Sequence, residues 1–162
     1  MNKKFRGTRI TIFGSAMPFE GDKEYETAYN LGRLLTLNGF EVVSGGAEGT
    51  MDAISKAAFD AGAEIITGVT LKQFADCTNK YVNNNIECDE LFVRIEKLME
   101  LGDAYVVLPG GTGTLLELSA VWEYINKGFS EHKSIVCIGE FWKPLVDLVD
   151  NRMIFDLSLI HI

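Results

Sequence analysis

Glu117 is the side chain in this 162-residue sequence best placed to do chemistry, because it closes the run Pro109-Gly110-Gly111-Thr112-Gly113-Thr114-Leu115-Leu116-Glu117. An apolar stretch, Ala104 to Leu108, leads into the run, and a helix-like stretch, Leu115 to Ile125, leads out of it. Three glycines let the backbone turn sharply and bring its N–H groups close to a ligand, with no Cβ in the way. A helix start adds unpaired N–H donors and a partial positive charge, and the two together make a seat for phosphate. Gly110, Gly111, Thr112, Gly113 and Thr114 are therefore the candidate phosphate-binding residues, with the Thr114 hydroxyl beside their amides. Glu117, expected in the first helical turn, then stands within reach of a sugar attached to that phosphate.

Two other glycine-bearing segments follow strand-like runs: Gly14-Ser15 after Arg9 to Phe13, and Ser44-Gly45-Gly46-Ala47-Glu48-Gly49-Thr50 after Glu41 to Val43. Neither contains the Lys of a Gly-x-x-x-x-Gly-Lys-Ser/Thr phosphate loop, and neither has the Gly-x-Gly-x-x-Gly spacing of a dinucleotide site after the first strand. They stand as a tight turn or as ligand loops, with Gly14, Ser15, Gly45 and Gly46 as the candidate contacts.

The elements that must carry these loops alternate. Lys23 to Asn38 is amphipathic, with Ala28, Leu31, Leu34 and Leu35 on one stripe and Gly39 as its stop. Met51 to Ala61 is the next helix, Ala63 to Val69 the third strand, Leu91 to Leu101 a helix stopped by Gly102, and Ala104 to Leu108 the fourth strand. Lys133 to Ile138 is a fifth strand, and Phe141 to Val149 begins another helix. Thr70 to Glu90, with its Asn83-Asn84-Asn85 cluster, lacks a clear period and is expected to be a loop or lid with broken helix. The order predicts an α/β fold: a doubly wound, Rossmann-like parallel sheet with helices on both faces, in three α/β/α layers. Such sheets gather ligands at the carboxyl ends of their strands, where all three glycine segments fall.

Length suits a single domain, placed at residues 1–156. The hexapeptide Leu157 to Ile162 stops in mid-pattern without a cap, so the natural chain is expected to continue past 156 and the tail to be non-native. A net charge of −8 argues against broad nucleic-acid or anionic-membrane binding, which want a basic face, but not against a small phosphorylated ligand. Cys77, Cys88 and Cys137 are odd in number and show no C-x-x-C pairing, and no apolar run approaches the ~20 residues of a membrane span. A reduced cytoplasmic protein is the expectation.

Pro109 to Glu117 resembles the signature of the LOG (Lonely Guy) family, cytokinin riboside 5′-monophosphate phosphoribohydrolases long labelled lysine decarboxylases. The family pattern Pro-Gly-Gly-x-Gly-Thr-x-x-Glu is met at every fixed position. Phe13-Gly14-Ser15, Ser44-Gly45-Gly46 with Gly49 and Met51, and Asp103-Ala104 agree in order and spacing, so the resemblance runs from about Ile10 to Trp142. Arg94 stands fifteen residues before Pro109, where the family places its essential arginine, although Ile95 replaces the usual following lysine. The resemblance implies that Glu117 and Arg94 are catalytic. It implies an AMP-like substrate cleaved at its N-glycosidic bond without metal or other cofactor, and a homodimer or higher homo-oligomer with sites near the subunit boundary. It also admits an alternative, a non-catalytic carrier or sensor of a nucleotide or molybdopterin-type cofactor.

Other side chains draw plainer readings. Lys97 lacks the surroundings of a Schiff-base lysine, and His132 and His161 have no metal-ligand spacing around them. Cys137 reads as core, Asp103 as a residue that opens its strand, and Trp122, Tyr124, Phe129, Phe141 and Trp142 as core or subunit interface.

Overall fold

A computed structural model describes residues 7–129, 133–152 and 160–161, with side chains through 149. Seven strands form one parallel sheet: β1 (Arg9–Phe13), β2 (Glu41–Ser44), β3 (Ile66–Leu71), β4 (Asn84–Cys88), β5 (Ala104–Val107), β6 (Ile135–Cys137) and β7 (Ile160–His161). Five helices connect them: α1 (Lys23–Leu37), α2 (Thr50–Asp60), α3 (Leu91–Leu101), α4 (Thr112–Asn126) and α5 (Lys143–Arg152), with a 3-10 turn at Lys72–Cys77.

The spatial order is β4-β3-β2-β1-β5-β6-β7. The chain winds outward from β1 to β4, returns to lay β5 against the other side of β1, and winds outward again. The reversal between β1 and β5 puts Gly14, Gly45–Gly46 and Gly110–Gly113 at the carboxyl ends of three adjacent strands, β1, β2 and β5. Leu108, just past β5, donates its N–H to the Phe13 carbonyl at 2.9 Å, which closes that junction.

Alternation along the strands builds two cores. Ile10, Ile12, Val42 and Ile66 pack with Tyr25, Ala28, Ala53 and Ile54 of α1 and α2 on one face. Phe13, Val43, Val69, Tyr105 and Val107 pack with Leu98 of α3, Leu118 and Trp122 of α4 and Val146 of α5 on the other. Burial of these side chains, at roughly 25 cal/mol per Å² of apolar surface removed from water, holds the strand ends in fixed relation. Gly32 lets α1 approach α2 closely, since a Cβ there would come 2.9 Å from the Ile54 carbonyl oxygen.

The doubly wound sheet with helices on both faces is as expected from the alternation. One element differs in kind. Thr70 to Glu90 contains β4, which pairs in register with β3 from Thr67↔Asn84 to Leu71↔Cys88. The strand shows no apolar alternation because it lies at the sheet edge and is held by polar side chains instead. Asn83 Oδ1 accepts from the Ile66 N–H at 2.8 Å, Asn84 Nδ2 donates to Thr67 Oγ1 at 3.0 Å, and Thr70 Oγ1 donates to Asn85 Oδ1 at 3.0 Å. Boundaries also move: β3 begins at Ile66 and runs to Leu71, and α4 begins three residues earlier than the apolar pattern alone indicates, at Thr112. Of the expected non-native tail, Ile160 and His161 pair with Ile135 and Val136 as β7, and the rest lies outside the described residues. Among the described residues no helix is long and apolar enough to cross a membrane.

Candidate active site

Gly111 is the N-cap of α4, so the amides of Thr112, Gly113 and Thr114 fall in its first turn, ahead of any carbonyl four residues back within the helix. The first amide with such a partner outside that turn is Leu115, which donates to the Gly111 carbonyl at 3.0 Å. A Cβ built on Gly111 or on Gly113 would meet nothing within 4 Å, so both glycines present open backbone to the space above the helix start. Gly110 differs: the Thr114 side chain lies directly against it, and Thr114 is only 3% exposed. The Thr114 side chain is therefore packed against the Gly110 backbone. The α4 start also puts Glu117 in the second turn, not the first.

Arg94, on the first turn of α3, reaches across the sheet end and joins three elements. Its Nε donates to the Val69 carbonyl at 2.7 Å, its Nη2 to the Gly45 carbonyl at 3.4 Å, and its Nη1 lies 3.3 Å from Glu117 Oε1. Only the planar, five-donor guanidinium can serve three acceptors in such a fork. Gly45 is a glycine for the same reason: a Cβ there would run into the Arg94 guanidinium and the Met51 sulfur. The Glu117 and Arg94 side chains retain 12% and 14% of their exposure, so the pair sits at the floor of the site. Burial pushes the Glu117 carboxyl up to about 7, while the charge and hydrogen bond of Arg94 pull it the other way. A carboxyl poised near neutrality in a partly dry site suits proton transfer at physiological pH.

The glycines of the other two loops pack against neighbouring atoms rather than facing open space. A Cβ on Gly14 would strike the Thr50 hydroxyl and Leu108. The Ser15 carbonyl accepts from the Thr50 amide at 2.8 Å and its hydroxyl at 3.0 Å, which ties the end of β1 to the start of α2. Ser15 Oγ accepts from the Met17 N–H at 3.1 Å, so its side chain shapes its own turn. Gly46 adopts φ +69°, where a side chain is strained, and its amide donates to Ser44 Oγ at 3.1 Å.

Asn79 escaped the sequence reading, since it lies in the stretch without periodicity. It is 8% exposed, and its Nδ2 donates to the Gly46 and Ala47 carbonyls at 3.1 and 3.0 Å and to Ser55 Oγ at 3.3 Å. Its own amide donates to the Gly46 carbonyl at 2.8 Å. One buried amide thus fixes the loop whose neighbouring carbonyl, that of Gly45, holds Arg94.

Two clefts open at the carboxyl end of the sheet. One of about 240 Å³ lies beyond Arg94 and Gly45, under Leu71, Phe74 and Leu91. The other, of about 280 Å³, lies across Pro109, between Lys23 and Glu24 of α1 and the Glu140-Phe141 turn. A larger hollow of about 320 Å³, lined by Glu96, Tyr105, Tyr124 and Lys133, sits toward the amino end of β5, away from Glu117 and the glycines. Among the described residues no cluster of His, Cys, Asp and Glu could hold a metal ion. His132 and the His161 side chain lie outside the described residues. Cys137 is buried, and burial pushes its thiol up to about 11, which leaves it a core residue. Asp103 Oδ2 accepts from the Arg9 N–H at 2.8 Å and so does open β5, and Lys97 pairs with Glu100 on the exposed side of α3.

Sheet order, glycine-flanked helix start and buried carboxyl–guanidinium pair define a Rossmann-like α/β protein in which an open helix start lies one turn from a buried acid. The chain belongs to the LOG family: the family model described as possible lysine decarboxylase matches residues 51–159, which include Arg94 and the whole Pro109-to-Glu117 run. It is similar to the cytokinin riboside 5′-monophosphate phosphoribohydrolase of Rhodococcoides fascians, 29% identical over 90% of this chain and 75% of that one. The phosphoribohydrolase LOG4 of Arabidopsis thaliana is 26% identical over 93% of this chain and 72% of its own. Among solved structures, a molybdenum cofactor binding protein from Rippkaea orientalis superposes with a TM-score of 0.72 at 21% identity, covering 91% of this chain and 86% of that one. At that identity the likeness concerns the fold.

Proposed function

We propose that the protein is a nucleoside 5′-monophosphate phosphoribohydrolase: it cleaves the N-glycosidic bond of an AMP-like nucleotide, releasing base and ribose 5-phosphate. The observation that carries this reading is the buried Glu117–Arg94 pair, 3.3 Å apart, one helical turn below an open anion seat. Relatives named as phosphoribohydrolases, matching most of the chain, support it.

The 5′-phosphate docks on the amides of Thr112, Gly113 and Thr114, under the open faces of Gly111 and Gly113. The ribose then lies over Glu117. As the bond from C1′ to the base breaks, its electron pair leaves with the base and positive charge develops on the sugar, which a carboxylate stabilises. Glu117 in its ionised form also takes a proton from the attacking water as the new C1′–O bond forms, and the departing base nitrogen gains a proton in turn. Arg94 holds Glu117 in place and biases it toward that ionised form. The reaction as written consumes one water and requires no redox partner. A homodimer with sites near the subunit boundary belongs to the same proposal, supported by the exposed Leu91, Phe92 and Val93 on α3 beside the site.

Incubating the protein with AMP and with N6-modified AMP, followed by detection of free base, tests the reading. A second reading, a protein that binds a phosphate-bearing cofactor without turnover, draws on the low exposure of Glu117. Tight binding without free base, unchanged in Glu117→Gln, would select it.

A further inference from the structure

Leu108 joins β5 to the glycine run, and both of its backbone groups are tied. Its N–H donates to the Phe13 carbonyl at the end of β1, and its carbonyl accepts from the Trp142 indole Nε1 at 2.9 Å. Leu108 is 1% exposed and Trp142 5%, so the bond is shielded from water. The chain reaches this position through Gly139, whose φ of +76° turns it sharply after β6. Trp142 stands just ahead of α5, and its own carbonyl accepts from the Val146 N–H at 3.0 Å, which fixes its backbone to that helix. The Phe141 ring meets the indole edge-on, with 4.8 Å between centroids. The other tryptophan, Trp122, fills its part of the core with an Nε1 that is buried and has no hydrogen-bond partner among the described residues. At Trp142 the N–H is instead directed to one carbonyl, the one that precedes Pro109.

Resting on the phosphate seat of the phosphoribohydrolase reading, we propose that Trp142 is a positioning residue for the 5′-phosphate: its indole clamps the Leu108 carbonyl and so sets the aim of the Thr112, Gly113 and Thr114 amides. The clamped carbonyl belongs to the peptide between Leu108 and Pro109. The proline ring fixes its own φ and offers no N–H, so the orientation of that peptide passes directly into the loop. Gly110 follows, held against the Thr114 side chain, and Gly111 is already the N-cap of α4. A rotation at Leu108 therefore re-aims the first amides of the helix. Amides hold a phosphate well only when they converge on it, because an N–H···O bond weakens steeply as it bends. The clamp shares no hydrogen bond with the Glu117–Arg94 pair, so its effect falls on phosphate binding and not on the proton chemistry. Trp142 also packs in the core around Leu118 and Val146, and the N–H is therefore tested apart from the ring.

Calorimetric titration with ribose 5-phosphate tests this on the full chain, on Trp142→Phe, on Val146→Ala, and on protein whose tryptophans carry the isostere with sulfur in place of the indole N–H. The isostere keeps the shape of the ring, and since Trp122 Nε1 has no partner it removes a working hydrogen bond at Trp142 alone. Trp142→Phe and the isostere are each expected to weaken ribose 5-phosphate about tenfold or more, through misdirected charge-assisted bonds. Val146→Ala, a truncation in the same core cluster, is expected to lower the melting temperature and to keep that affinity within about twofold. With AMP, KM should rise as the affinity falls, while the pH dependence of turnover stays that of the parent. Parent-like affinity in the isostere protein would overturn the proposal, whatever Trp142→Phe does. Weakening by Val146→Ala as large as that by Trp142→Phe would overturn it too, by assigning the loss to a slackened core. A parent that binds no ribose 5-phosphate would defeat the phosphate seat itself and this proposal with it, a result distinct from the other two.

Discussion

The Arg94 guanidinium occupies the space that a side chain on Gly45 would need. This exclusion couples two loops far apart in sequence, because the guanidinium that displaces a Cβ at Gly45 is the one that pairs with Glu117. Gly45 is not in the left-handed region, so its backbone accepts alanine, and any effect of Gly45→Ala comes from the collision. That variant is expected to lose about a hundredfold in turnover of AMP through a displaced Arg94, and about 1–3 kcal/mol in stability from overpacking. Steady-state kinetics beside thermal unfolding would read both.

Gly111→Ala is the matching contrast. A Cβ there meets no protein atom within 4 Å, so the stability cost should be only the roughly 1 kcal/mol of placing alanine at a helix N-cap. The added methyl projects into the space where the phosphate is placed. Affinity for both AMP and ribose 5-phosphate should fall at least about tenfold in titration, and unchanged affinity would move the anion elsewhere.

Arg94→Lys should also separate charge from shape. A lysine ammonium is a point donor and cannot serve Val69, Gly45 and Glu117 in the fork that the guanidinium makes. Turnover should drop about 10²- to 10⁴-fold although the positive charge remains, and a lysine variant with near-parent turnover would reduce Arg94 to a counter-charge.

The pH dependence follows from Glu117. Its carboxyl is held at about 7 in the folded protein against an ordinary 4.5, so between those values the folded state binds a proton that the unfolded chain does not. Its contribution to stability therefore improves as pH falls from about 7 toward 4.5, by about 3 kcal/mol in all, and is at its least favourable above pH 7. Catalysis by the ionised form runs the other way, with turnover falling as pH drops below about 7. Melting curves from pH 5 to 8 should show the parent losing stability with rising pH relative to Glu117→Gln, while the rate profile of the parent rises.

Asn79→Ala removes a donor that serves the Gly46 and Ala47 carbonyls in a buried position. A loss of about 1–3 kcal/mol is expected in urea unfolding, with Asn79→Asp no better because it offers acceptors where donors are required.

The distribution of such residues explains what could be read ahead of the structure. Strands with apolar alternation, such as β1, and helices with one apolar stripe, such as α3, announce themselves because burial and periodicity coincide. The Pro109-to-Glu117 run is legible for a different reason, since glycines at a strand-to-helix junction have few other uses. β4 was hidden because Asn83, Asn84 and Asn85 supply its cohesion through side-chain hydrogen bonds, and that signal has no period. Asn79 was hidden by the same polar stretch. The packing of Thr114 under Gly110, and of Arg94 over Gly45, depends on long-range approach that spacing along the chain does not encode.

A crystal structure of Glu117→Gln soaked with AMP tests the central claim most directly, because the variant holds the nucleotide intact. The account predicts phosphate oxygens within hydrogen-bond distance of the Thr112, Gly113 and Thr114 amides, with C1′ of the ribose facing residue 117. Phosphate bound away from the start of α4, or a ribose that turns C1′ from residue 117, would contradict it.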